Sequence, residues 1–139
     1  KQALLLAGGL GTRLRPLTEQ MPKPLAPIGN KPWLEHLIAH LREQGAAAKH
    51  CADRIREALG DGERLGVSIR YSLETELLGT AGAIKNAEPY LEDRFLVVNA
   101  DIIFDARIEP LLSFHRRHGG AVTIGLIEVE DPSHYGVVE

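Results

Sequence analysis

Ala7-Gly8-Gly9-Leu10-Gly11-Thr12-Arg13-Leu14-Arg15-Pro16-Leu17-Thr18, closed by Pro22-Lys23-Pro24, is the stretch on which the reading of this chain turns. It follows Ala3 to Leu6, an apolar run of strand length. Three glycines in four residues let the backbone turn tightly and leave the amide N–H groups unshielded, open to an anion or a nucleobase. Arg13, Arg15 and Lys23 bring positive charge close by. A strand, a bare glycine turn and a run of cations suit a nucleoside triphosphate. Two familiar phosphate loops are excluded. A dinucleotide fingerprint starting at Gly9 and Gly11 would need its third glycine where Leu14 stands, and no G-K-[ST] tripeptide follows the turn.

Outward from the turn, Gln2 to Leu6 reads as a strand buried on both faces. Pro16, Pro22, Pro24 and Pro27 forbid a regular helix over residues 15–29 and stiffen the loop that carries Lys23. A helix is expected from about Lys31 to Gln44, with Pro32 in its first turn and Gly45 as its stop. Trp33, Leu34, Leu37, Ile38 and Leu41 form its apolar stripe. His36 and His40 have the spacing of a metal pair, but Leu37 replaces the glutamate of the zinc-protease pattern. Ala46 to Ala52 has no β-branched residue and favours helix where a doubly wound sheet needs a strand. His50 beside Cys51 has nothing to lower the thiol pKa. Further along, we expect a helix at Asp53 to Leu59, a strand at Val67 to Leu73, and a helix from about Thr80 to Leu91. A buried strand at Phe95 to Asn99, a helix at Ile108 to Arg117 and a strand at Ala121 to Val129 complete the reading.

The chain has 139 residues, 44% of them hydrophobic and 25% charged, which suits one globular domain. A net charge of −3 disfavours general nucleic-acid binding. Cys51 is the only cysteine, so an intrachain disulfide is excluded and a reducing, cytoplasmic setting fits. No apolar run reaches the roughly 20 residues of a membrane span, and no signal peptide is expected.

The string G-G-x-G-T-R-L-x-P-L-T with P-K-P downstream resembles the signature of the sugar-phosphate nucleotidyltransferases. Three further stretches resemble later signatures of that family: Leu77-Leu78-Gly79-Thr80-Ala81-Gly82, Ala100-Asp101 after a strand, and Asp131-Pro132-Ser133-His134-Tyr135-Gly136-Val137-Val138-Glu139. Leu77 stands where the family has proline. Ala100 stands where it has glycine, which adds a methyl beside the expected metal. The spacing around Ala46 to Ala52 is about five residues shorter than the family's. The mannose-1-phosphate guanylyltransferase branch is the nearest resemblance.

The resemblance implies an α/β fold: a Rossmann-like, open, mostly parallel sheet with helices on both faces. Residues 1–139 would form the N-terminal part of a single catalytic domain, ending before the fold is complete. It implies transfer of a nucleotidyl group from GTP to mannose 1-phosphate, releasing pyrophosphate, with Mg²⁺ as cofactor. Arg13, Lys23 and Asp101 would be catalytic, and Asp101 would hold the metal. Leu6, Gly8, Gly9, Gly11, Thr12, Glu74, Gly79 and Thr80 would border the nucleotide, and Gly136 the sugar. A second metal aspartate and a sugar-phosphate lysine would lie beyond Glu139. The partners would be a nucleoside triphosphate and a sugar 1-phosphate, without nucleic acid or membrane; a homo-oligomer is compatible. The rival readings are a transferase using UTP or dTTP with glucose 1-phosphate, a non-catalytic nucleotide-binding or regulatory domain, and a nicotinamide-dependent oxidoreductase. The last fails on Leu14 and on the lack of an acidic residue ending a recognisable second strand.

Overall fold

A computed structural model of the chain describes residues 1–8, 14–19, 21–49, 53–133 and 136–138. The chain divides into two compact units, Lys1–Asp105 and Ala106–Glu139.

The first unit is built on a three-stranded parallel sheet. Strand β1 (Gln2–Leu6) lies at its centre, β4 (Ala47–Lys49) on one side and β5 (Phe95–Asn99) on the other. The central place of β1 follows from its composition: Ala3, Leu4 and Leu5 have at most 1% of their surface exposed. A strand apolar on both faces is stable only when covered on both, as parallel sheets are. Gln2 is the polar exception, and both ends of its amide are used. Nε2 donates to the Tyr90 carbonyl, while Oε1 accepts from the Glu92 N–H.

A short hairpin, β2 (Pro27–Ile28) against β3 (Lys31–Pro32), leads into helix α1 (Trp33–Glu43). Pro32 caps the helix from outside rather than sitting in its first turn; its ψ of 140° is extended. Gly45, at φ 75°, ends the helix as expected, in a left-handed conformation that suits glycine. Leu34, Leu37, Ile38 and Leu41 form the buried stripe. Glu35 is buried beside them because Arg64 forks onto it, Nη2 to Oε1 at 2.6 Å and Nη1 to Oε2 at 3.3 Å. The hydrogen bond from Arg64 holds the Glu35 carboxyl below its ordinary pKa, against the opposing effect of burial.

Several expected elements differ. The weak segment after α1 does supply a strand. Ala47 to Lys49 pairs with β1 in the register Gln2↔Ala47, Ala3↔Ala48, Leu4↔Lys49. Pairing on a buried central strand outweighs the poor intrinsic propensity of alanine and lysine. Val67 to Leu73, by contrast, joins no ladder among the described residues. Its backbone is held locally: Val67 N–H bonds to the Gly62 carbonyl and Ile69 N–H to that of Asp61. Asn86 Nδ2 reaches Ser72 Oγ and the Leu73 carbonyl.

Helix α2 spans Asp53–Leu59 and helix α3 spans Gly79–Ala87. A single 3-10 turn, Glu88–Tyr90, then takes the place of the expected last helical turn; it contains Pro89. In the second unit, helix α4 (Ile108–His118) ends at Gly119, φ 68°. The expected strand Ala121 to Val129 is not formed among the described residues. Val122, Ile124 and Leu126 are 74%, 68% and 65% exposed, so the alternation seen in the sequence has no packed face here.

Candidate nucleotide site

The order β4-β1-β5 creates a switch point. From β1 the chain crosses to β4 on one side, then returns past β1 to β5 on the other. In open α/β sheets ligands bind in the crevice at the carboxyl ends of the strands where this reversal occurs, here β1 and β5. The register Leu6↔Asn99 brings those two ends level, and the Ala100 N–H extends the ladder by one bond to the Leu6 carbonyl, 2.9 Å. Ala7-Gly8 and Ala100-Asp101 therefore leave the sheet at the same edge.

Lys23 arrives at that edge from the proline-rich segment. Pro22 caps a single 3-10 turn, Lys23–Leu25, in which Pro24 is buried and Lys23 is not. Burial of the proline anchors the turn and directs the lysine outward. Lys23 Nζ donates to Asp101 Oδ2 at 2.8 Å, with 30% and 44% of the two side chains exposed. Lys23 and Asp101 are thus brought together, although 78 residues separate them. Ala100 is completely buried, so its methyl is not on the open side where the Asp101 carboxylate stands. An added Cβ at Gly8 would meet nothing within 4 Å, so the start of the glycine turn faces open space. Gly9, Gly11, Thr12 and Arg13 lie outside the described residues.

The segment before α3 supplies the remaining candidates of the first unit. Glu74 is half-buried and its Oε2 accepts weakly from the Leu78 N–H at 3.4 Å, closing the loop that Leu77 leaves open to solvent. Gly79 opens α3 at φ 66°, a conformation that disfavours any residue with a Cβ, and Thr80 follows it, exposed. Gly136 is exposed and belongs to the second unit.

The histidine pair on α1 is occupied otherwise. His36 Nε2 lies 3.1 Å from the Ile28 carbonyl, and His40 Nε2 lies 2.7 Å from Gln44 Nε2 with Phe104 edge-on to its ring. His50 and Cys51 lie outside the described residues. Trp33, expected in the apolar stripe, is half-buried and has a polar end that periodicity does not reveal. Its indole N–H donates to the Ala100 carbonyl at 3.0 Å. The signal was available: a half-buried tryptophan needs an acceptor for its N–H.

Among the described residues, no helix is long and apolar enough to cross a membrane. A mannose-1-phosphate guanyltransferase from Emericella nidulans is 44% identical over 146 residues, covering 99% of this chain and 40% of that protein. The mannose-1-phosphate guanylyltransferase catalytic subunit beta of Drosophila pseudoobscura pseudoobscura is 43% identical, with 99% and 39% covered. The chain thus spans about two-fifths of the length of these relatives. Among solved structures, HddC from Yersinia pseudotuberculosis complexed with GMP-PN superposes with a TM-score of 0.69 at 33% identity, covering 82% of this chain and 53% of that one. The nucleotidyl transferase family model matches residues 2–139, and this chain belongs to that family.

Proposed function

We propose that this chain carries the nucleotide-binding part of a transferase that joins GTP and mannose 1-phosphate into a nucleotide sugar and pyrophosphate. In this reading residues 1–139 are the N-terminal part of one catalytic domain. The observation that carries it is the Lys23–Asp101 pair, a cation and an anion 2.8 Å apart at the edge where Ala7-Gly8 leaves β1. Nucleotidyl transfer needs that combination. The sugar-phosphate oxygen attacks the α-phosphorus in line, the bond to the bridging oxygen breaks, and charge gathers on the departing pyrophosphate.

Lys23 neutralises phosphate charge as a point charge, and Arg13 grips the β- and γ-phosphates as a planar fork. Asp101 offers hard oxygen donors at an open strand end. One such carboxylate fits Mg²⁺, which binds proteins through one or two carboxylates and fills its shell with phosphate oxygens and water. When bound, Mg²⁺ supplies further neutralisation of the triphosphate. Leu6, Gly8, Gly9, Gly11 and Thr12 border the nucleotide on one side, with Glu74, Gly79 and Thr80 on the other. The family signature around Tyr135-Gly136 assigns Gly136 to the sugar. The reaction takes a soluble nucleotide and a sugar phosphate, which suits a cytoplasmic enzyme.

Two relatives named for mannose 1-phosphate and guanylyl transfer, and a solved neighbour holding GMP-PN, support the choice of base and sugar. Calorimetric titration of the full-length protein with GTP, UTP and NAD tests it. GTP binding tighter than UTP, with no NAD binding, is the expected result. UTP binding tighter than GTP would overturn the choice of base and favour the transferase that uses UTP or dTTP.

A further inference from the structure

Trp33 makes one hydrogen bond toward each half of the Lys23–Asp101 pair. Its backbone N–H donates to the Ala26 carbonyl at 2.9 Å, and Ala26 closes the turn that carries Lys23. Its indole N–H donates to the Ala100 carbonyl at 3.0 Å, and Ala100 precedes Asp101. The N–H of Ala100 is already held by the Leu6 carbonyl at 2.9 Å, so this residue is pinned from both sides before the chain leaves the sheet. The ring itself is braced. His36 stacks beside it, 6.4 Å between centroids, and reaches the Ile28 carbonyl of the hairpin.

We propose that Trp33 is a positioning residue: by holding the main chain at Ala26 and at Ala100, it sets where Lys23 and Asp101 stand relative to each other. The inference rests on the function proposed above, and it adds a residue that acts through the main chain at Ala26 and Ala100. A leucine or methionine at position 33 would fill space and keep the backbone bond. It would leave the buried Ala100 carbonyl without its indole donor, and the strand end free to shift. A shift there moves the carboxylate directly, because Asp101 is the next residue.

The test uses the full-length protein and Trp33→Phe, which keeps an aromatic ring and removes the N–H. Two quantities are measured: Mn²⁺ affinity by calorimetry with GTP present, and the Mg²⁺ concentration giving half-maximal pyrophosphate release. Loss of one hydrogen bond that fixes the carboxylate should weaken both by about three- to tenfold, with kcat at saturating Mg²⁺ within about twofold of wild type. A residue that only fills the core would lower Tm and the active fraction while leaving Mn²⁺ affinity unchanged, and that result overturns the proposal. Asp101→Asn is measured alongside. If it changes Mn²⁺ affinity and Trp33→Phe does not, the positioning role is wrong and the site stands. If neither changes it, the site reading fails and the positioning role falls with it. Should Trp33→Phe not fold, benzothienylalanine at position 33 retains the bicyclic shape and deletes only the donor; the same shift in Mn²⁺ affinity is expected, and its absence overturns the proposal.

Discussion

Replacing Lys23 by glutamine should move two properties in opposite directions. Without nucleotide, the Lys23 ammonium occupies Asp101 Oδ2 at 2.8 Å, where a divalent cation would compete with it. The side chains are 30% and 44% exposed, so the pair is partly solvated, and pairs of that kind contribute roughly 0.2–1 kcal/mol. Lys23→Gln removes the charge that a metal must displace, so metal binding without nucleotide should tighten by about two- to fivefold. With nucleotide the balance reverses. A charge-assisted hydrogen bond to phosphate is worth about 1.5–3 kcal/mol, so kcat/KM for GTP should fall about ten- to a hundredfold. Mn²⁺ calorimetry on the nucleotide-free full-length protein reads the first effect, and steady-state kinetics with varied GTP reads the second. Metal binding that weakens, or a kcat/KM for GTP that does not change, would refute the reasoning.

Two further outcomes follow from other contacts. Glu35 is held below its ordinary pKa of 4.5 by the hydrogen bond from Arg64. Its contribution to stability is therefore complete above the unfolded value and is lost as pH falls through the lowered folded one. Glu35→Gln should lower Tm near neutrality, with the gap to wild type closing below about pH 4; a gap constant down to about pH 3 would show that the ion pair does not matter. Glu74→Gln should shift base preference, because a carboxylate accepts from the adjacent N1–H and N2–H of guanine whereas an amide suits uracil. The ratio of kcat/KM for GTP over UTP should fall about tenfold, and an unmoved ratio would reduce Glu74 to its loop bond with Leu78.

What the residues revealed in advance depended on whether the signal was local. The strands Gln2–Leu6 and Phe95–Asn99 and the helix Asp53–Leu59 match their expected bounds, because continuous apolar runs and helical periodicity lie within each segment. Strand pairing does not. Ala47 to Lys49 carries no strand signal of its own and becomes one through its neighbour β1. Val67 to Leu73 and Ala121 to Val129 alternate well, yet alternation reports a face to be covered and names no partner. The site shows the same division. Lys23 and Asp101 were each singled out by motif, but nothing in either motif announced their ion pair. Trp33 is legible as an apolar residue whose indole N–H needs an acceptor, but only the fold brings the Ala100 carbonyl within reach. Gly9, Gly11, Thr12 and Arg13 rest on the signature alone.

The central claim is that Asp101, paired with Lys23 at the β1–β5 edge, serves metal-dependent nucleotidyl transfer. Pyrophosphate release by the full-length protein from GTP and mannose 1-phosphate, measured against Mg²⁺ concentration for wild type and Asp101→Asn, tests it most directly. The wild type should release pyrophosphate only when both substrates and Mg²⁺ are present. Asp101→Asn should fold with a similar Tm and lose a few kcal/mol of transition-state stabilisation, about a hundredfold or more in rate. A variant with unchanged turnover and unchanged Mg²⁺ dependence would contradict the account.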